Sequence, residues 1–388
     1  SGKSYLLFSL YADYLQTQGV APSHIIKIDL ENITNDHLRE PLTLIKYINQ
    51  QITDSKEYYV LIDEVQHLQR FEDALNTLLK NSQLDVYVTG SNARFLSKDV
   101  VTTFRGRGDE VRVHPLSFAE YLSVQQPLPF AEQHLNEYMR LGGLPQLVVM
   151  NSEQQKRQYL SQLFANTYLV DIKERYAIRN DDDLEELIDV IASSIGSLTN
   201  PTKIANSFAS VKQSQLSKDT IKRYLDYMQD AFMIEKAVRY DIKGRKYIDT
   251  PAKYYFEDLG LRNARINFRQ TEPTHLMENL IYNELRVKGY SIDVGQVVAN
   301  TRNANGVSER KQLEVDFVCN KADERIYIQS AYAMLTPEKQ EQELKSLKLI
   351  NDNFQKVLIA GGMQPTYRNN DGILILNIYD FLLNKVTI

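Results

Sequence analysis

The chain has 388 residues, 43% of them hydrophobic and 24% charged, which predicts a soluble globular protein of two or three domains. The formal net charge of −5 excludes a globally basic surface, so any nucleic-acid surface has to be local. The single cysteine, Cys319, and the lack of an apolar run of roughly 18–20 residues favour a cytoplasmic protein with no membrane partner.

The first motif stands at the start of the chain. Gly2-Lys3-Ser4 matches the closing half of the G-x-x-x-x-G-K-[ST] phosphate loop, whose backbone N–H groups wrap phosphates while the Lys reaches the β and γ groups. Residues 4–19 then show helical spacing that ends at Gly19. Because the leading Gly and its strand are not in the numbered chain, we expect a fragment of a longer protein or a chain trimmed at a loop.

Four β-rich runs follow, separated by helical patterns. Strands alternating with helices predict an α/β domain with a mostly parallel sheet that is covered on both faces. The predicted strands cover residues 24–31, 58–68, 84–92 and 109–118.

Two acids end the second of these runs. In YYVLIDEVQ, five apolar or aromatic residues lead directly into Asp63 and Glu64, at the strand end where open α/β sheets bind ligands. Asp63 is a candidate Mg²⁺ ligand together with Ser4, and Glu64 is a candidate for polarising an attacking water. A solvated acidic pair is the alternative for an isolated Asp-Glu, but the Gly-Lys-Ser motif upstream favours a nucleotide site.

Polar and basic residues follow the third run. TGSN places Ser91 and Asn92 near the acidic pair if the two strands are neighbours, although the same four residues also suit a turn. FRGRG supplies Arg105 and Arg107 in a Gly-rich loop. An arginine there offsets transition-state charge in its own site or in a neighbour's, or simply lies in a basic surface turn.

The order GKS, LIDEVQHL, TGSN, FRGRG…PLSFAEY and LGGLP resembles the prokaryotic AAA-type ATPase family that joins an ATPase module to a C-terminal domain of obscure function. The resemblance spans essentially the whole chain and implies ATP and Mg²⁺ as cofactors. It implies phosphate-loop roles for Gly2, Lys3 and Ser4, a Walker B pair in Asp63 and Glu64, the first sensor in Asn92 and the arginine contact in Arg107. A homo-oligomer is left open, because Arg107 can serve either its own nucleotide or a neighbour's.

The middle of the chain has a helical pattern. A long helix is predicted over residues 151–178, followed by helices from 181, 200 and 217 and by a pair of strands, which together suggest a helical lid and a winged helix-turn-helix. Residues 203–253 contain more Lys and Arg than Asp and Glu. A DNA contact or a protein-contact lid both fit this balance. The DNA-contact candidates are Lys218, Lys222, Arg223, Lys243, Arg245 and Lys246.

The last third resembles a PD-(D/E)XK nuclease. That site needs carboxylates from adjacent strands and a Lys two residues beyond the second carboxylate. The matching positions here are Glu278, Asp316 and Gln329, with Ala331 where the Lys belongs. Loss of one carboxylate and of the ammonium predicts a degenerate, nuclease-like binding domain.

The predicted architecture is α/β, with a P-loop NTPase parallel sheet followed by a helical lid and winged helix and by a C-terminal α/β nuclease-like domain. The expected boundaries are 1–150, 151–265 and 266–388. The leading function is an Mg²⁺-dependent ATPase that drives or switches the other modules. Alternatives are a nucleotide-regulated DNA-binding protein without significant turnover and a metal-dependent nuclease.

Overall fold

A computed structural model describes residues 2–90, 108–125, 131–178, 181–212, 216–269, 272–302, 308–334 and 336–388. The chain forms two compact units, Ser1–Val113 and His114–Ile388. Both units combine helices with β-sheet, in agreement with the predicted α/β class. The expected division into three domains stays a prediction.

The first unit begins with a helical run that we label α1. It is α-helical over Lys3–Tyr5 and Ala12–Thr17 and π-helical over Leu6–Tyr11 between them. The remaining labelled elements of this unit are β1 (Ile25–Asp29), α2 (Pro41–Gln51), β2 (Tyr58–Asp63), α3 (Phe71–Leu78) and β3 (Leu84–Val88).

Within the described residues, the three strands of the first unit form a parallel sheet in the order β1-β2-β3. Alternation along β2 directs Val60 to a core shared with Leu44 of α2, and Leu61 to a separate core with Leu7 and Ala12 of α1. The sheet is therefore covered on both faces, as the alternation of strands and helices predicts.

The fourth predicted strand, over residues 109–118, is wrong. Residues 108–117 are irregular, and a helix begins at Phe118. The Leu116 N–H donates to the Gly143 carbonyl at 2.8 Å, and the His114 ring lies 2.6 Å from the Glu257 carboxylate. These groups of the stretch thus bond to Gly143 and Glu257, which lie outside the helices and strands, and not to a neighbouring strand.

The second unit is rich in helices. The long helix predicted over 151–178 is present as α7, which is α-helical over Glu153–Leu163 and Val170–Arg175 and π-helical over Phe164–Leu169 between them. No helix in the described part of the whole chain is long and apolar enough to span a membrane. The other helices are α4 (Phe118–Ser123), α5 (Ala131–Leu141), α6 (Pro145–Val148), α8 (Asp181–Ser193), α9 (Pro201–Lys212), α10 (Lys218–Asp230), α11 (Leu259–Arg265), α12 (Pro273–Val287), α13 (Pro337–Lys348) and α14 (Ile378–Leu382).

The strands of the second unit form one large sheet. Among the described residues it has eight strands in the order β10-β11-β9-β8-β7-β6-β4-β5. The strands are β4 (Ile234–Asp241), β5 (Lys246–Phe256), β6 (Ser291–Arg302), β7 (Ser308–Lys321), β8 (Glu324–Ala331), β9 (Gln355–Ala360), β10 (Tyr367–Arg368) and β11 (Leu374–Asn377).

The β4–β5 hairpin belongs to this sheet. Strand β4 pairs with β5 in antiparallel fashion and with β6 in parallel, with Tyr240 opposite Gly295. The element order of three helices followed by a hairpin is the one that the winged-helix prediction requires. The same hairpin is, however, hydrogen-bonded to the strands of the last third of the chain, so the two predicted segments share one sheet.

The LGGLP motif packs around a buried acid. Asp258 caps helix α11, where its carboxylate accepts the Leu261 N–H at 2.9 Å and the Gly143 N–H at 2.8 Å. Gly142 has φ +78°, and a Cβ at this position would clash with the Asp258 carboxylate. A glycine is therefore required both for the backbone conformation and for the close approach to Asp258.

Candidate functional site

The first group of predicted site residues lies around the carboxyl end of β2. Asp63 ends this strand and is buried, whereas Lys3 and Ser4 lie in the first turn of α1. Gly2 precedes that helix with φ +83°, a left-handed conformation that favours glycine. The parallel register of β2 and β3 pairs Ile62 with Val88, so Asp63 and Thr89 follow at the same edge of the sheet.

Thr89 joins the two acids. Its hydroxyl donates a hydrogen bond to Asp63 Oδ1 and accepts the Glu64 N–H at 3.3 Å. The backbone continues this link, because the Val65 N–H donates to the Thr89 carbonyl at 3.0 Å. A single hydroxyl on the neighbouring strand thus fixes the carboxylate of Asp63 and the backbone of Glu64.

Glu64 leaves the strand in an unusual conformation. Its φ of 51° and ψ of 50° lie in the left-handed region, which is uncommon for residues other than glycine. The Gln66 side-chain amide donates to Glu64 Oε2. Left-handed backbone at a strand end redirects the side chain away from the alternation of β2, so Glu64 and Asp63 occupy different environments despite being adjacent.

The charges of both acids act on Lys3. Burial lowers the pKa of Lys3, and the Glu64 and Asp63 carboxylates act in the opposite direction without cancelling that effect. The structure therefore brings Lys3, Asp63 and Glu64 within electrostatic range of one another. Ser4 is exposed beside Lys3.

The donor set at this edge suits a magnesium nucleotide. Mg²⁺ is held in such sites by one or two protein oxygens together with phosphates and water, and not by an all-protein cage. Asp63 and Ser4 supply a carboxylate and a hydroxyl, whereas no group of three His, Cys, Asp or Glu side chains among the described residues is arranged to hold a metal ion. The predicted residues Asn92 and Arg107, like Ser91 and Arg105, lie outside the described residues.

Sequence reasoning missed Thr89. The TGSN motif drew attention to its last two residues, whereas the described contact to Asp63 comes from the first. The signal was the position of Thr89 directly after the apolar part of β3. In the parallel register of β2 and β3, this position lies beside Asp63, which ends β2.

A second group of predicted residues lies in the other unit. Glu278 of α12 and Asp316 of β7 are both buried. Both carboxylates face the ammonium of Lys253 of β5, a residue that the sequence analysis did not select. Its Nζ lies 2.7 Å from Glu278 Oε1 and 3.8 Å from Asp316 Oδ1.

Glu314, two residues before Asp316, completes this group. Its Oε1 lies 2.5 Å from the Lys253 ammonium. The Tyr255 hydroxyl donates to Glu278 Oε1 at 2.6 Å. We call Glu278, Glu314 and Asp316 the carboxylate cage.

Gln329, which stands where a nuclease has its second carboxylate, makes its described contacts away from Lys253. Its side-chain carbonyl accepts the Asp316 N–H at 3.3 Å and the Ser346 hydroxyl at 3.3 Å. The Ser330 N–H, next along β8, donates to Asp316 Oδ2 at 2.8 Å.

A β-bulge explains these side-chain contacts. The register of β6 and β7 shifts between the Asp293 and Gly295 pairs, opposite Asp316. The ladder between β7 and β8 extends from Lys321 only as far as Phe317. At the bulge, the Asp316 N–H bonds to the Gln329 side chain instead of a strand carbonyl. One carboxylate oxygen of Asp316 accepts the Ser330 N–H, and the other faces Lys253.

The cage and its lysine shift each other's pKa values. Burial alone would lower the pKa of Lys253, but the charges of Glu278, Asp316 and Glu314 raise it above its ordinary value. Burial and the Glu278 charge raise the pKa of Asp316 well above its usual range, and Lys253 only partly opposes them. The Lys253 ammonium therefore stays charged among the three acids, and Asp316 keeps its proton to a higher pH than an ordinary aspartate does.

The DNA-contact candidates are exposed. Lys218, Lys222 and Arg223 lie on the outer face of α10, and Lys243, Arg245 and Lys246 lie at the turn between β4 and β5. Tyr247, directly after this turn, is 64% exposed.

Known proteins resemble this chain along most of its length. An AAA domain model matches residues 1–122, and a model named Domain of unknown function (DUF8612) matches residues 132–272. An uncharacterized protein from Haemophilus influenzae is 35% identical over 387 residues, covering 99% of this chain and 92% of the relative. An uncharacterized protein from Methanocaldococcus jannaschii is 26% identical over 370 residues, covering 91% of this chain and 79% of the relative. A crystal structure of a Vibrio cholerae protein is 15% identical, covers 94% of this chain and 97% of its own, and has a TM-score of 0.22.

Proposed function

The chain belongs to the same family as the uncharacterized Haemophilus influenzae protein and carries an AAA-type, P-loop ATPase-like domain, and from this premise we propose that it binds ATP with Mg²⁺ and hydrolyses it. The observation that supports this proposal is the convergence of Lys3, Asp63 and Glu64 at one edge of the parallel sheet. Burial disfavours the charged form of Lys3 in spite of the two acids. The negative charge of a triphosphate relieves that cost.

Each residue has a distinct part in this proposal. Lys3 binds phosphate oxygens through its ammonium, and Ser4 and Asp63 hold Mg²⁺, which neutralises charge on the phosphates when bound. Glu64 accepts a proton from the attacking water, because its left-handed backbone separates its carboxylate from that of Asp63. Asn92 as first sensor and Arg107 as arginine contact follow from the family resemblance.

The experiment compares two variants with opposite effects. Lys3→Ala is expected to abolish ATP binding, measured by titration with a fluorescent ATP analogue. Glu64→Gln is expected to keep binding and to lower phosphate release about 100- to 10,000-fold, because the general base is removed. Matched controls are Lys46→Ala and Asp13→Asn, which remove exposed charges of the same unit.

Two results would contradict the proposal. Unchanged ATP binding by Lys3→Ala would remove the nucleotide site from this edge of the sheet. Normal phosphate release by Glu64→Gln, with the protein folded and ATP bound, would remove Glu64 as the base while leaving nucleotide binding intact.

DNA contact is a second candidate function. The observation that favours it is the hairpin turn, where Lys243, Arg245 and Lys246 are all exposed beside the exposed Tyr247 ring. Exposed cations can neutralise nucleic-acid phosphates, and an exposed aromatic ring adds an apolar contact surface. In this alternative, nucleotide binding regulates engagement of DNA without significant turnover.

Salt dependence tests the DNA candidate. The triple variant Lys243→Gln, Arg245→Gln, Lys246→Gln is expected to weaken duplex binding and to lower the slope of log K against log salt by about 0.9 for each phosphate that the variant no longer neutralises. The matched control is Lys46→Gln, Lys56→Gln, Lys80→Gln, which removes three exposed charges from the first unit. Equal slopes in both triple variants would exclude a DNA contact at the hairpin.

A further inference from the structure

Lys253 lies in a part of β5 that is otherwise apolar. The residues from Ala252 to Phe256 are all buried, and Lys253 itself is only 2% exposed. An ammonium removed from water to this extent is strongly destabilising unless opposite charges surround it. The sequence places such a residue here because the fold supplies the compensating acids from two other elements, α12 and β7.

The arrangement around the ammonium is that of ligands around a cation. Nζ lies 2.7 Å from Glu278 Oε1 and 2.5 Å from Glu314 Oε1, with Asp316 Oδ1 at 3.8 Å. These distances suit charge-assisted hydrogen bonds, whereas Mg²⁺ would require oxygens at about 2.0–2.1 Å. The carboxylates are spaced for an ammonium.

Other groups hold the acids in place. The Tyr255 hydroxyl donates to Glu278 at 2.6 Å, and the Ser330 N–H donates to Asp316 at 2.8 Å. Both donors are buried. The acids are therefore preorganised around Lys253, as ligands of a bound cation are preorganised by a surrounding shell of hydrogen bonds.

We propose that Lys253 is the resident cation of the carboxylate cage, so that an ammonium of the chain itself occupies the position that a divalent metal takes in a nuclease of this arrangement. Strand β5 is tied to α12 and β7 by this contact. The acids of the cage are then held in a closed arrangement by an ammonium of the chain. This inference concerns the second unit alone and is independent of the proposed ATPase site.

The charges give the proposal a specific consequence. Removal of the ammonium leaves the three carboxylates of the cage without their cation, and a divalent cation can take its place once these side chains move closer together. Lys253→Ala is therefore expected to gain a Mn²⁺ site that the wild type lacks. Lys253→Met, whose side chain fills the space with apolar atoms, is expected to gain none.

The experiment measures Mn²⁺ binding to the full chain without nucleotide, by electron paramagnetic resonance of free Mn²⁺, together with the melting temperature. Lys253→Ala is expected to bind one additional Mn²⁺ and to recover thermal stability when Mn²⁺ is added. The triple variant Lys253→Ala, Glu278→Gln, Asp316→Asn is expected to lose both effects. If Lys253→Ala folds poorly without metal, recovery of the folded state on adding Mn²⁺ reports the same site.

Two results would overturn the proposal. Mn²⁺ binding by the wild type that Glu278→Gln and Asp316→Asn abolish would show that the cage is open to metal with Lys253 present, as a nuclease requires. A folded Lys253→Ala that neither binds Mn²⁺ nor is stabilised by it would show that the acids do not form a cation site.

Discussion

Lys3 in the first unit and Lys253 in the second both lie near carboxylates, and burial acts to lower the pKa of each. The outcome is opposite. Burial prevails at Lys3, so its pKa falls despite the charges of Glu64 and Asp63. The three acids of the carboxylate cage prevail at Lys253, so its pKa rises.

The contrast shows two kinds of buried lysine. The charge of Lys3 is left partly uncompensated and favours binding of an anion, whereas the charge of Lys253 is already compensated by acids of the chain. A lowered pKa means that the folded protein disfavours the charged ammonium, and an added anion relieves that cost. A raised pKa means that the surroundings favour the ammonium more than water does. The same residue type beside acids therefore indicates ligand binding in one unit and internal closure in the other.

The largest predicted effect tests this difference directly through stability. Lys253→Met is expected to lower the free energy of unfolding by about 3–5 kcal/mol, because breaking a buried ion pair leaves uncompensated charges. Lys3→Met is expected to cause no loss, because the ammonium that it removes is disfavoured by burial in the folded state. Differential scanning calorimetry of the full chain measures both variants.

The control for this test is Lys345→Met, which removes an exposed lysine of the second unit and is expected to change stability by no more than about 0.5 kcal/mol. Adding Glu278→Gln and Asp316→Asn to Lys253→Met is expected to restore part of the stability. Equal destabilisation by Lys3→Met and Lys253→Met would contradict the proposed difference between the two lysines.

Asp258 provides the second test, because it is a buried acid satisfied by backbone N–H groups without a cation. Burial raises its pKa to about 6, although N–H donors such as Gly143 and Leu261 oppose the change. An acid with a raised folded pKa holds its proton in the folded state after the unfolded chain has released it. The stability that it contributes is therefore present below pH 4 and falls by roughly 3 kcal/mol as the pH rises to about 6.

The measurement compares pH profiles and not absolute stabilities, since Asp258→Asn also disturbs the cap of α11. The difference in unfolding free energy between wild type and Asp258→Asn is expected to change between pH 4 and pH 6 and to be constant above pH 7. Asp323→Asn, at an exposed turn, is the matched control. A difference that does not vary with pH would show that backbone donors alone keep Asp258 ionised.

Much of the fold was predictable, because it depends on local patterns. Strand β2 and the helix over 151–178 were predicted from apolar runs and helical spacing, and both are present. The run over 109–118 has the same apolar alternation but no strand, since a strand needs a partner ladder that a local pattern does not encode. The inclusion of the hairpin in the large sheet likewise depends on long-range pairing between β4 and β6.

The candidate sites divide in the same way. Lys3, Asp63 and Glu64 belong to motifs that the sequence alone selects as candidates, and the structure brings the three within electrostatic range of one another. Lys253 is distant in sequence from Asp316 and carries no motif. Only the ion pairs that its side chain makes with α12 and β7 place this lysine in the carboxylate cage. Its position within an apolar run was nevertheless a signal that a buried partner had to exist.

The smallest predicted effect concerns Thr89, the link between the two acids of the first unit. Thr89→Val keeps the shape of the side chain but removes the hydrogen bond to Asp63 and the acceptor for the Glu64 N–H. Loss of a partner that orients a metal ligand typically costs about 10- to 100-fold in metal affinity or activity. The Mg²⁺ concentration at half-maximal ATPase activity is expected to rise by this factor. Thr89→Ser keeps the hydroxyl and is expected to restore most of the activity, whereas equal losses in both variants would mean that the methyl group, and not the hydrogen bonds, matters at this position.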